Sequence, residues 1–186
     1  MQVRNLIVGA LLFSCTGHVN AQSLTLRVDN IDQIVDSMTL EEKVNLLVGR
    51  NDYLFGGYEK LDKAPRVMDS SISGFTQVIP RLGIPATGLA DGPAGAVVVT
   101  RPDSKKNYYA TGFPIGSLLA CSWNTGLVET IGQAIGNEIL EYGVDVVLAP
   151  GMNIHRSPLC GRNYEYFSED PVLTGKIAAA YIRGVQ

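Results

Sequence analysis

Between Pro158 and Pro171 the chain reads PLCGRNYEYFSEDP, so Arg162 is followed within a few positions by Asn163, three aromatic rings (Tyr164, Tyr166, Phe167) and three acids (Glu165, Glu169, Asp170). A connecting segment needs only turn residues and solubility. This one carries the groups that hold a polar ligand. A second candidate group, Asp91, stands in GLADGPAG. A carboxylate accepts hydrogen bonds from two vicinal hydroxyls and a guanidinium donates several in a fixed fork. Aromatic faces cover apolar C–H surface, so Asp91, Arg162 and the neighbouring rings together can grip a sugar ring. Spacing alone leaves a second reading open: Asp91 caps the turn ahead of Gly92-Pro93, and Arg162 with Glu165 braces a loop as an ion pair.

Other chemistries are poorly served. The sequence has no Gly-x-x-x-x-Gly-Lys phosphate loop and no Gly-x-Ser-x-Gly nucleophile elbow, and GLADGPAG lacks the Gly-x-Gly-x-x-Gly spacing of a dinucleotide site. His155 stands without a paired ligand motif once His18 is assigned to a leader, so neither a metal nor a cofactor is expected. With 15 Lys and Arg against 18 Asp and Glu the net charge is −3, and the pair Lys105-Lys106 is too small a basic cluster for a nucleic-acid partner.

The groups must be carried by a frame. At 186 residues and 46% hydrophobic, the composition is that of one globular domain. Residues 1–21 read as an export signal, with Arg4 in a short basic region, the apolar run LIVGALLFSC, and VNA ending at Ala21. That run falls short of the ~20 residues that cross a bilayer, so the mature chain is expected to begin near Gln22, in the periplasm or outside the cell, with no integral membrane segment. The competing reading takes LFSC as a lipoprotein box with Cys15 acylated. Cys121 and Cys160 then remain, either joined as a disulfide or buried as small hydrophobes.

Further along, MTLEEKVNLLVG has the grammar of a helix: Thr39 and Glu42 make a capping box, Val44, Leu47 and Val48 share a side, and Gly49 ends it. Residues 50–80 show no sustained period and read as a long surface loop. A short apolar strand then stops at Asp91. Asn124 is placed to cap a helix with Leu127, Ile131, Ile135 and Ile139 four apart and Gly143 as its stop. VDVVLAP reads as a strand buried on both faces, and a last helix opens with Asp170 as cap and Pro171 at its first position, burying Ile177, Ala180, Tyr181, Gly184 and Val185. Strand, helix, strand, helix makes parallel neighbours in an α/β sheet, with both polar clusters after the carboxyl ends of strands, where such folds bind ligands.

The motifs LADGPAG, VDVVLAPGMNIHRSPLCGRNYEYFSEDPVLTG and IAAAYIRGVQ, with MTLEEKVNLLVG and GFPIG before them, resemble the amino-terminal domain of glycoside hydrolase family 3, in its β-glucosidase and β-xylosidase branch. The resemblance runs over roughly residues 30–186 and rests most on Gly-Arg-Asn-aromatic-Glu followed by Ser-x-Asp-Pro. It implies a partial (β/α)8 barrel, represented by its first strand–helix units over residues 22–186. It also implies hydrolysis of β-glucosides, xylosides or related oligosaccharides through two carboxyl groups with retention. By the same likeness Asp91 and Arg162 are sugar contacts and Glu165 orients Arg162 from behind. His155 and Arg156 fall in a structural turn.

The nucleophilic Asp, the acid/base Glu and a Lys-His pair that the family places later are absent from this sequence, so no catalytic residue is assigned and the chain is expected to be a piece of the barrel, inactive alone. A closed barrel takes ~250 residues. Three rival readings are a self-contained pair of Asp91 and Glu165, a noncatalytic carbohydrate-binding protein made of this segment alone, and a purely structural segment.

Overall fold

The computed structural model describes residues 24–49, 70–71, 73–100 and 107–186. The expected export signal with Cys15, the pair Lys105-Lys106 and most of the expected loop over 50–80 lie outside the described residues.

Two helices come first, α1 (Ile31–Ser37) and α2 (Leu40–Val48). The first is not expected from the sequence, because so short a stretch shows no period, and only Ile34 of its seven residues is buried. The capping box of α2 is present: Thr39 accepts from the Glu42 N–H while the Glu42 carboxylate accepts from the Thr39 N–H, and Gly49 closes the helix at φ 68°. Its apolar side is not buried, however, with Val44, Leu47 and Val48 exposed by 48, 88 and 77%. The helix is held from its capped end instead. Arg81 donates to the Glu42 carboxylate and, at 2.9 Å, to the Ser37 carbonyl. That pairing, with the Thr39 N–H behind it, pulls the Glu42 carboxyl down to about 2.

The sheet strands are β1 (Ser70–Ser71), β2 (Gly74–Phe75), β3 (Gly88–Asp91), β4 (Val99–Thr100) and β5 (Val146–Leu148). Strands β1 and β2 correct the expectation of uninterrupted loop over 50–80; at two residues each they are too short to show alternation. The main sheet runs β2-β3-β5, with β2 antiparallel to β3, and β3 parallel to β5 through Leu89↔Val146, Ala90↔Val147 and Asp91↔Leu148. Strands β1 and β4 form a separate antiparallel pair. Between β3 and β5 the chain passes through α3 (Gly116–Cys121) and α4 (Thr125–Glu141), and α5 (Pro171–Val185) follows. This is the expected α/β order, strand and helix alternating around a parallel pair.

Asn124 caps α4 by accepting from the Leu127 N–H at 3.0 Å, and Gly143 sits just past its end at φ 66°. The buried stripe is Val128, Gly132, Ile135 and Ile139, and Leu127, expected inside, is 47% exposed. Four residues overshoot a full helical turn by about 40°, so a row taken every fourth position drifts off the face that a mixed three-and-four spacing keeps. On α5 the buried side is Thr174, Ile177, Ala178, Ala180, Tyr181 and Gly184, and Asp170 caps it through the Val172 N–H at 2.7 Å. The two helices cross backbone to backbone: a Cβ on Gly184 would lie 2.1 Å from the Glu129 carbonyl oxygen, and one on Gly132 would lie 2.5 Å from that of Tyr181.

Burial of β5 on both faces is not observed, since Val146 and Leu148 are 40 and 45% exposed. The strand ends the β2-β3-β5 order, so one edge and the surface beside it have no neighbour among the described residues. Cys121 and Cys160 are both unbonded and both exposed, which corrects the disulfide and buried-thiol readings alike. No helix among the described residues is long and apolar enough to cross a membrane.

Candidate active site

Asp91 is the last residue of β3, and its backbone is fixed on both sides. Its N–H donates to Ser73 Oγ at 2.8 Å, and its carbonyl accepts from the Val97 N–H at 2.8 Å. The carboxylate itself is exposed and has no hydrogen bond or ion pair among the described residues, so it caps no turn. The turn after it is closed by Gly95, which at φ 114° brings its α-carbon so near Thr111 that a Cβ would lie 2.2 Å from the Thr111 carbonyl oxygen. From the other side Tyr181 donates its hydroxyl to the Gly92 carbonyl at 3.2 Å.

Arg162 lies in the loop that follows the carboxyl end of β5. The parallel bridge Gly151↔Tyr166 continues the direction of β5, and the intervening loop is folded by its own bonds. The His155 N–H donates to the Ser168 carbonyl at 3.1 Å, Asn163 Nδ2 donates to the Ser157 carbonyl at 2.8 Å, and His155 Nε2 lies 3.3 Å from the Tyr166 carbonyl. A single 3-10 turn, Asn163–Glu165, closes it. Ser117 at the start of α3 reaches this turn, donating to the Tyr164 carbonyl at 3.3 Å. His155 thus supports the loop, as expected, whereas Arg156 is exposed and makes no bond among the described residues.

Within that loop Arg162 Nε donates to Glu165 Oε1, and the guanidinium carbon lies 5.8 Å from the centre of the Tyr166 ring. Hydrogen bonding and charge from Glu165 raise the pKa of an already permanent cation. Nε is spent on Glu165, and the Nη groups have no partner among the described residues. Glu165 thus turns one oxygen to Arg162, the orienting arrangement that the family resemblance implies.

The aromatic trio divides. Phe167 enters the main core and Tyr166 is buried beneath Arg162, while Tyr164 alone is exposed. The expected platform of three rings is therefore reduced to one accessible face. Ser73 and the Tyr181 hydroxyl were not singled out from sequence. Ser73 lies in a Gly- and Ser-rich stretch with no period, and Tyr181 reads there only as part of an apolar stripe.

A cavity of about 760 Å³ opens between α4, α5 and the uncovered side of β5, lined by Leu140, Val146, Val147, Tyr181 and Val185 among others, and by neither Asp91 nor Arg162. Its apolar walls flank the open sheet edge. Neither of the sequence-predicted sugar contacts reaches it.

Comparison with known proteins bears on the family and the fold. The profile for the glycosyl hydrolase family 3 N terminal domain matches residues 62–186. The chain belongs to glycosyl hydrolase family 3. Among curated family members it is 41% identical over 162 residues to thermostable beta-glucosidase B of Acetivibrio thermocellus, covering 84% of this chain and 18% of that protein. It is 40% identical over 156 residues to beta-glucosidase B of Emericella nidulans, covering 84% of this chain and 16% of that protein. Among solved structures, beta-glucosidase 3B of Thermotoga neapolitana in complex with α-D-glucose superposes with a TM-score of 0.71 at 49% identity, over 83% of this chain and 21% of that one. The chain thus spans about a fifth or less of the family members it matches.

Proposed function

We propose that the protein carrying this chain hydrolyses O-glycosidic bonds of β-glucosides or related β-glycosides with retention, and that this chain is its sugar-binding amino-terminal portion. One observation carries the proposal: Asp91 ends one of two adjacent parallel strands and Arg162 stands in the loop after the other, and among the described residues the Asp91 carboxylate and the Arg162 Nη groups have no partner. The likeness to glucosidases, one of them seen with glucose, supplies the substrate class.

In this reading Asp91 accepts hydrogen bonds from neighbouring hydroxyls of the sugar at the cleavage point, and the Arg162 Nη groups donate to another oxygen. Glu165 holds the guanidinium in orientation through Nε. Both contacts tighten as the ring flattens toward an oxocarbenium-like transition state. The attacking carboxylate and the acid/base carboxyl come from outside this chain. Residues 1–21 serve as an export signal, so that the secreted product begins near Gln22.

The test is hydrolysis of an aryl β-D-glucoside by the whole protein, followed by NMR of the first-formed sugar. The β-anomer is expected first; the α-anomer appearing first excludes retention. Binding of glucose without any hydrolysis establishes the noncatalytic carbohydrate-binding alternative instead.

A further inference from the structure

We infer that Tyr181 is a positioning residue for Asp91: its buried hydroxyl, delivered from α5, fixes the Gly92-Pro93 turn and thereby the place from which the Asp91 carboxylate meets substrate. The inference rests on the sugar-binding reading of Asp91. Among the described residues that carboxylate has no partner, and there its backbone is what holds it in place. On the amino-terminal side the Asp91 N–H is tied to Ser73 Oγ and the strand register to Leu148. On the carboxyl-terminal side the Val97 N–H holds the Asp91 carbonyl at 2.8 Å, and the tie from outside the turn is Tyr181, whose Oη lies 3.2 Å from the Gly92 oxygen and 3.5 Å from that of Pro93.

The tyrosine is well placed for this task. It is 1% exposed, and its helix is pressed against α4 at Gly132 and Gly184, so the ring is carried by a rigid frame. Helix α5 itself begins directly after the Arg162 loop, under the Asp170 cap. One helix therefore links the two halves of the site. Burial also pushes the Tyr181 phenol up to about 12, which keeps it a proton donor throughout the range in which a glycosidase works.

The experiment is steady-state kinetics of the whole protein on an aryl β-D-glucoside, comparing wild type with Tyr181→Phe, Asp91→Ala and the double variant. The control is Tyr142→Phe, which deletes a hydroxyl donated to the Tyr109 carbonyl and not to the Asp91 turn itself. Loss of one buried hydrogen bond to the turn is expected to lower kcat/KM about tenfold in Tyr181→Phe, mostly in kcat because the sugar contacts tighten at the transition state. Tyr142→Phe should stay within about twofold, and Tyr181→Phe should add little in the Asp91→Ala background, as for residues acting through one group. Wild-type kinetics in Tyr181→Phe, equal losses in Tyr181→Phe and Tyr142→Phe, or full additivity with Asp91→Ala each overturn the inference while the wild-type enzyme remains active. A wild-type protein that neither cleaves nor binds any β-glycoside removes the sugar-binding reading and the inference with it.

Discussion

Arg162 leans its Nε on Glu165 Oε1 in an unequal pair: the arginine side chain is 72% exposed and the glutamate only 13%. A wholly solvated ion pair contributes little to stability. In the proposed sugar-binding role the buried partner acts as an anchor and the exposed one as the working group. Glu165→Gln keeps the shape and removes the charge, and a weakened charge-assisted hydrogen bond of this kind is expected to raise KM for an aryl glucoside about tenfold. Arg162→Lys should not restore the affinity lost in Arg162→Ala, because an ammonium cannot bond Glu165 and a sugar hydroxyl in the same fixed plane. Parallel KM measurements on the three variants check this.

Tyr166 braces the same guanidinium from its other side, with the ring centre 5.8 Å from the Arg162 carbon. The face, not the hydroxyl, makes that contact. Tyr166→Phe is expected to leave KM within about twofold, and Tyr166→Leu to raise it a further few-fold, in line with a cation–π term of about 1 kcal/mol. Kinetics of the pair, with melting temperatures alongside, separate the ring's effect on Arg162 from simple loss of packing.

The crossing of α4 on α5 gives opposite expectations for two glycines of one helix. Gly184 admits no side chain, since a Cβ would lie 2.1 Å from the Glu129 carbonyl oxygen, and Gly184→Ala should destabilise the fold by at least about 2 kcal/mol. Gly175, with nothing within 4 Å of its would-be Cβ, should gain up to about 1 kcal/mol on conversion to Ala through helix propensity. Urea melts of the two variants should move in opposite directions.

Much of this frame is legible in the sequence wherever a local rule decides. Asn124 and Asp170 announce their helices because each side chain satisfies N–H groups a few residues away, and Thr39 and Glu42 do so twice over. The parallel placement of Gly88–Asp91 beside Val146–Leu148 follows from the intervening helical periodicity. Burial is less legible because it depends on what is packed alongside: VVL reads as interior, yet among the described residues Val146 and Leu148 flank an uncovered edge, and Val44, Leu47 and Val48 of α2 stay exposed. The same holds in the site. Asp91 and Arg162 stand out by residue type and motif, but the Tyr181 hydroxyl reaches Gly92 across 89 positions, and no local pattern encodes that distance.

Alkaline pH should expose the buried phenol. Burial raises Tyr181 to about 12 from an unfolded value near 10, so the folded state holds its proton more tightly. The corresponding stability is fully present below about pH 10 and is lost as pH rises toward about 12, since there the unfolded chain has released a proton that the folded one retains. Urea midpoints across that window should fall more steeply in wild type than in Tyr181→Phe, which has no proton to lose.

The most direct measurement is kcat/KM of Asp91→Ala in the whole protein, taken together with its melting temperature. The Asp91 carboxylate makes no bond within the described residues, so its removal should leave melting within a few degrees of wild type. The two hydroxyl contacts it is assigned should cost on the order of 100-fold or more in kcat/KM, at about 1.5–3 kcal/mol for each charge-assisted hydrogen bond. A stable variant crippled on β-glucosides is the expected result. A variant that cleaves them at the wild-type rate contradicts the assignment of Asp91 to the sugar.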